Sequence, residues 1–356
     1  MTTETTSPRS PTRDRDLPIH LALDERMVAL EDAADAAMLA PSVHGSQPWT
    51  IVLHPDRLEL RADRSRQLAA VDPAGRELVQ SLGAALFNVR VALAARGWAV
   101  EADRFPDPAD TELVAVVRPV PGAPEARLPL LGGALHERRT HRAGFLPEEV
   151  PDELLDHLVA AAAAEDCGCL AVLSAEFRGL VAQLTQQADA VQLADPDCAA
   201  DRRKWRAPAE PSADEVRRTV DSDTGVDRTY VLITSRTDEP ATWLRSGEAL
   251  ERVLLELAAL GWAASPMTQL LEVPATRQRL WSAMTGEAHP QVLLRIGFRE
   301  SSTPERRRNR DGVVVNSSRS AVARPVAGSG RLTREAHDHR RDLRPVSDGR
   351  GGTTWV

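Results

Sequence analysis

Leu78, Leu82, Leu86, Val89 and Leu93 fall three or four residues apart, the spacing of one helical face. The helix this predicts runs into Gly97, placed where a helix end favours a residue free to adopt positive φ. The same stretch occurs a second time. Residues 83–98 read GAALFNVRVALAARGW and residues 247–262 read GEALERVLLELAALGW, and the two align without a gap. Gly83, Ala85, Leu86, Val89, Leu93, Gly97 and Trp98 match Gly247, Ala249, Leu250, Val253, Leu257, Gly261 and Trp262. Agreement at the glycines and tryptophans, beyond the shared Ala and Leu, predicts a duplicated chain with two central helices.

The rest of the pattern predicts helices and strands in mixture. Asp24 is placed as the cap of a helix to about Leu39, with Met27, Leu30, Ala34 and Met38 on one face. Residues 51–53 and 58–62 alternate about a turn at Pro55 and Asp56, which predicts a hairpin. Residues 72–75 turn into the first central helix, and Val100 and residues 113–117 read as strands of the same sheet. Beyond Leu135, residues 154–164 and 177–191 read as helices, and residues 170–173, 230–234 and 291–296 as strands. Residues 265–273 read as a loop. Residues 1–17 and 309–356 are polar and predict disordered tails. Residues 194–226, rich in Pro, Asp and Arg around a lone Trp205, predict a mobile lid or an excursion.

Composition narrows the class. At 356 residues and 42% hydrophobic, the chain has room for a large core. Basic residues number 44 against 52 acidic ones, and no basic stripe dominates a folded region, so nucleic acid is not the expected partner. Cys167, Cys169 and Cys198 are odd in number and form no disulfide framework, which fits a reducing cytoplasm. The N-terminal stretch lacks an apolar signal core, and no run was expected to approach a membrane span.

Four motifs then stand out in order: residues 40–49 (APSVHGSQPW), residues 138–145 (RRTHRAGF), the paired helices, and residues 264–271 (ASPMTQLL). With them, the chain from about residue 20 to 308 resembles the nitroreductase family of flavoproteins, closest to the Acg-type branch in which two nitroreductase-like halves are fused. The resemblance implies an α+β nitroreductase-like fold, with halves at residues 18–134 and 135–308 related by a pseudo-twofold axis between the central helices. It implies FMN in a cleft between the halves. Pro41, Ser42 and Gln47 match the loop that meets the flavin ring from the other half. Arg138, Thr140 and Arg142 match the family's Arg-x-Ser-x-Lys/Arg phosphate element, and guanidinium groups suit phosphate oxygens. Pro266, Met267 and Thr268 match the segment beside the reactive ring edge. A C-terminal cation usually completes the phosphate site; Arg306, Arg307 and Arg308 are the candidates, with Arg307 taken as the representative.

The halves are unequal. The first supplies the Pro-Ser loop and the second the arginine element. The reciprocal site would need an arginine element near residues 24–27 and a Pro-Ser loop near residues 167–170, and neither is there. One FMN per chain is therefore expected. Gly45 stands where the family usually has Asn, and Gly144 is an extra residue, so the detailed geometry departs from the pattern. The implied activity is transfer of hydride from NAD(P)H through FMN to a small-molecule acceptor such as a nitroaromatic or a quinone. The alternative is a flavin-sequestering protein whose lid, residues 194–226, blocks turnover. Either a monomer with pseudo-dimer architecture or a homodimer fits.

Weaker constellations carry less. Cys167-Gly168-Cys169 lacks metal-site spacing and a second pair. His136 and His141 are five apart, unlike a zinc helix, and His337 and His339 lie in the tail. His44, within the loop, reads as a structural histidine or a group tuning the ring. No Gly-x-Gly-x-x-Gly, Walker loop or Gly-x-Ser-x-Gly occurs.

Overall fold

The computed structural model describes residues 19–139, 145–146, 149–205, 229–284, 286–298, 308–317, 345–347 and 353–355. Two compact units are present, residues 1–318 and 319–356. In the second, residues 345–347 and 353–355 pair as a short antiparallel ladder.

The first unit is built on the two repeated helices, α2 (Arg76–Ala95) and α7 (Pro240–Ala259). Helix α2 is buried along almost its whole length, and α7 from Leu244 to Ala258 apart from Arg245 and Leu250, with Glu248, Glu251, Arg252 and Glu256 buried among its apolar residues. They cross at Gly83 and Gly247. A Cβ on Gly83 would lie 2.1 Å from Leu244 O, and one on Gly247 would lie 2.0 Å from Gln80 O. Only glycine lets the two backbones touch in this way, which is the physical content of the repeated residue. Gly97 and Gly261 end the helices at φ 84 and 80, and each turns the chain into a strand, β3 (Ala99–Arg104) and β7 (Trp262–Pro266).

Two sheets flank this pair. The first has the order β3-β4-β2-β1-β9, with β1 Trp49–Leu53, β2 Leu58–Ala62, β4 Leu113–Val120 and β9 Val314–Asn316. The β1–β2 hairpin pairs Leu53 with Leu58, and alternate residues of both strands are buried. Its core joins Leu30 and Ala34 of α1 (Ile19–Ala37) to Trp49, Ile51, Leu60, Leu82 and Leu86. The second sheet is antiparallel, β5-β6-β8-β7, with β5 Gly168–Val172, β6 Thr229–Ser235 and β8 His289–Phe298. Helix α3 (Ala134–Glu137) precedes it, and α4 (Asp152–Ala163) lies against β5 and α7. After β5 the chain continues into α5 (Ala175–Ala194) and α6 (Pro196–Trp205). Between β7 and β8 stand α8 (Gln269–Glu272) and α9 (Pro274–Ala283). Helices and largely antiparallel sheets together make an α+β fold.

Several expectations need correction. Helix α1 starts at Ile19, so Asp24 sits inside it and not at its cap; residues 19–23 are good enough helix formers to extend it upstream. Residues 265–273 are a strand end and a short helix. Residues 309–317 of the expected disordered tail are structured: β9 pairs in parallel with β1, Ile51 opposite Val314, and the ladder of residues 345–347 and 353–355 lies in the same expected tail. The lid candidate begins as α6. Helix α2 is, by length and composition, long and apolar enough to cross a membrane, contrary to expectation, and 89% of that window is buried inside the protein.

Candidate functional site

The loop that follows α1 is fixed by its own polar groups. Ser42 Oγ accepts the Gln47 N–H at 2.9 Å, and the Val43 N–H donates to Ser81 Oγ of α2 at 3.1 Å. His44, Gly45 and Gln47 all have positive φ, a conformation that two non-glycine residues hold only under external constraint. The constraint is visible. Gln47 Oε1 accepts the Arg308 N–H at 2.7 Å, and the Arg308 guanidinium donates to Gln47 O, Trp49 O and Gly312 O. Arg66 Nε donates to Ser46 O at 2.6 Å. Trp49 itself is wholly buried in the core.

Arg138 ends α3 and is buried at 2% exposure. Its Nη2 donates to Leu39 O at 2.8 Å, and its Nε lies 3.3 Å from Glu251 Oε1 on α7. One guanidinium therefore ties the second central helix to the start of the first loop. Thr140, Arg142, Arg306 and Arg307 lie outside the described residues. Arg308 is committed to three carbonyls and acts as a strut for the loop.

Pro266 closes β7, the Met267 N–H donates to Leu293 O at 2.9 Å, and Thr268 precedes α8. Glu272 of α8, 1% exposed, lies with Oε1 3.7 Å from His44 Nε2. Burial pushes its carboxyl up, but His44, Thr268 and Gln192 together outweigh burial and hold it below the usual range. Two links thus tie the first-half loop region to the second half: Arg138 to Leu39 O, and His44 to Glu272, which follows the Pro266–Thr268 segment on α8. Ser46 Oγ of the loop and Gln269 Oε1 of α8 are buried without a hydrogen bond. Sequence reasoning missed Glu251 and Glu272. Each is an ordinary helical glutamate until its partner is known.

Helix α6 covers the neighbouring surface. Asp201 Oδ2 accepts the Ala70 N–H at 2.7 Å, Arg66 stacks at 4.0 Å on the Trp205 ring, and Cys198 joins Leu68 and Val71 in a small cluster that includes Val43 of the loop. Residues 206–226 of the lid candidate lie outside the described residues. The three cysteines are free and buried, and no group of metal-ligating side chains occurs among the described residues. His136 is exposed, whereas His141, His337 and His339 are outside the description.

Comparison with known proteins gives the family. The Nitroreductase family model matches residues 135–298. "Putative NAD(P)H nitroreductase Rv3131" of Mycobacterium tuberculosis strain H37Rv is 32% identical over 291 residues, covering 74% of this chain and 83% of the relative. "Putative NAD(P)H nitroreductase acg" of the same strain is 30% identical over 296 residues, covering 76% and 88%. Among solved structures, a nitroreductase of Bacteroides fragilis with bound FMN aligns with a TM-score of 0.35 at 13% identity, over 57% of this chain and 98% of that one.

Proposed function

The chain belongs to the nitroreductase family, and from that premise we propose that it is an FMN-binding, NAD(P)H-dependent oxidoreductase acting on a small electron-poor acceptor such as a nitroaromatic or a quinone. The observation that carries the reading is this pair of links. Arg138 bonds Leu39 O just before the Pro41–Gln47 loop, and His44 within it meets Glu272, so the loop is held from the second half at two points, which supports the reading. The fit to a flavin rests on polar atoms of the loop and α8. Ser46 Oγ and Gln269 Oε1 are buried without hydrogen bonds, and such atoms suit the polar edge of a planar ring.

Pro41, Ser42, Gln47, Pro266, Met267 and Thr268 are assigned to the ring. Arg138 anchors the element whose Thr140 and Arg142 are assigned to the phosphate, with Arg307 as the C-terminal cation. Bound FMN supplies hydride acceptance and donation, so no protein nucleophile is required. The protein's own task is to hold the loop: Ser42 and Arg308 fix its positive-φ residues, and Arg138 sets its distance from α7.

One FMN per chain is the expected stoichiometry. Near the reciprocal position, Glu165 is wholly buried and pairs with Arg90 at 2.7 Å, Arg252 at 2.8 Å and Arg245 at 3.0 Å. A buried ion-pair cluster leaves that region already occupied. A flavin-to-protein ratio of two would overturn this point.

A second reading is favoured by α6, whose cluster includes Val43 of the loop. If the segment at residues 194–226 covers the flavin, the protein sequesters FMN and turns over little. The visible spectrum of purified protein, followed by anaerobic NADPH and NADH addition, separates the readings. Bleaching of a yellow protein supports the oxidoreductase. A yellow protein that stays oxidised, and is reduced faster once residues 194–226 are deleted, supports sequestration. A colourless protein that refuses FMN overturns both.

A further inference from the structure

We propose that the cavity between the start of α2 and α9 is a binding site for a small organic cation, an ammonium or amidinium group carried on an apolar body. It goes beyond the flavin reading and does not depend on it. The cavity holds about 350 Å³, within the range of small-ligand sites. It lies beyond Glu272 from His44: Glu272 lines the cavity, while His44 approaches the same carboxylate from the loop.

Charge selects the ligand. Asp72, Glu77, Asp238 and Glu272 line the cavity against only two arginines, Arg76 and Arg277. Both arginines are already taken. Arg277 forms a two-pronged pair with Asp238 at 2.7 and 2.8 Å. Arg76 meets Glu77 Oε1 at 3.0 Å and donates to Gln291 O at 2.7 Å. Asp72 accepts the Leu78 N–H at 2.8 Å as part of the α2 start. One oxygen is left without a hydrogen bond or ion pair, Glu77 Oε2, on a side chain only 5% exposed, whereas Glu272 Oε1 already faces His44 Nε2 at 3.7 Å. An unmatched carboxylate oxygen at such depth is costly, and an N–H donor of positive charge removes that cost. Burial and the nearby Glu272 charge push the Glu77 carboxyl well above its usual range, and a cation seated beside it would favour the ionised form and bring that value back down.

The walls exclude a bare metal ion as the natural occupant. Trp243 and Trp281 line the cavity, and His289 stacks on Trp281 at 5.5 Å. Indole faces attract organic cations and cover apolar groups. An anion would meet the excess carboxylates, and a neutral ring without a donor would leave Glu77 Oε2 unmatched.

The test is isothermal titration of the full-length protein, flavin-free and flavin-loaded, with benzamidinium as the probe and benzamide as its neutral isostere. Saturable binding of one benzamidinium per chain is expected, with benzamide weaker by at least about tenfold. Glu77→Gln, which keeps the shape of the side chain, is expected to weaken benzamidinium by about tenfold, and Trp281→Leu to weaken it too. No measurable binding, or equal binding of benzamide, overturns the proposal in the unmutated chain, whatever the variants do. A folded Glu77→Gln protein with unchanged affinity also overturns it. The flavin spectrum reports separately, so loss of one reading leaves the other standing.

Discussion

Arg138 is a charged residue in a charged run, ERRTHR, and nothing local says that it is buried. Its partner Glu251 is wholly buried on a helix more than a hundred residues later. Removing one member of such a pair leaves the other charge in the core, which typically costs about 3–5 kcal/mol. Glu251→Leu should therefore lower the urea midpoint sharply, and should also loosen the loop that Arg138 holds through Leu39. Urea unfolding of the purified variant checks this, and an unchanged midpoint would remove Arg138 from its bridging role. The cysteines give a second prediction at this level. Burial pushes the Cys167 thiol up to about 12 and the Cys169 thiol to about 11, so at pH 8 both remain overwhelmingly protonated. Since the thiolate is the nucleophile, neither should be alkylated by iodoacetamide in the native protein, and both should react in urea. Mass spectrometry of labelled peptides before and after denaturation is the measurement.

The helices α2 and α7 carry the next prediction. Their crossing leaves no room for a methyl group at Gly83 or Gly247, since the obstructing atoms are backbone carbonyl oxygens. Gly83→Ala should force the helices apart and destabilise the fold by at least about 1–3 kcal/mol, the usual cost of overpacking. Alanine is the better helix former, so a gain in thermal midpoint would show that the contact is looser than described. These helices, and the β1–β2 hairpin, were readable from residue order because their signals are local: an apolar stripe with a glycine stop, and alternation about a turn. Other elements were not, α6, α9 and β9 among them. Helix α6 buries only Cys198, and α9 only Thr276 and Leu280, so neither has a stripe to read. Strand β9 is three residues long and exists because β1 offers an open edge, a partner more than 250 residues away. The site divides in the same way. The loop and the Pro-Met-Thr segment were singled out by motif, whereas His44–Glu272, Arg138–Glu251 and the Arg308 strut are contacts between distant segments and leave no local trace.

Across the whole first unit, buried charge sets the response to pH. Glu248 is fully buried on α7 and bonds Arg90 of α2, Arg104 of β3 and Arg245 of its own helix at 2.7–3.0 Å. Burial raises its carboxyl, but these arginines outweigh burial and hold it below the usual range. Its folded value thus lies under its unfolded one, near 4.5. Unfolding then takes up a proton, and stability falls as pH drops from about 4.5 through the folded value. Glu272, Glu256 and Asp238 are shifted in the same direction by their own partners and add to the same acid limb. Glu77 has the opposite sign. Its folded value is raised, so the folded state keeps a proton that the unfolded chain has lost, and stability declines as pH rises from about 4.5 towards the raised value. The thermal midpoint should therefore pass through a maximum in mildly acidic buffer. Glu77→Gln should flatten the decline on the alkaline side and leave the acid limb intact. Glu248→Gln should lower the midpoint in neutral buffer, because it strips a carboxylate from three arginines, and should shrink the acid limb. Midpoints measured by calorimetry from pH 3 to pH 9 on the three proteins decide the matter: parallel curves would mean that neither carboxyl is shifted by the fold.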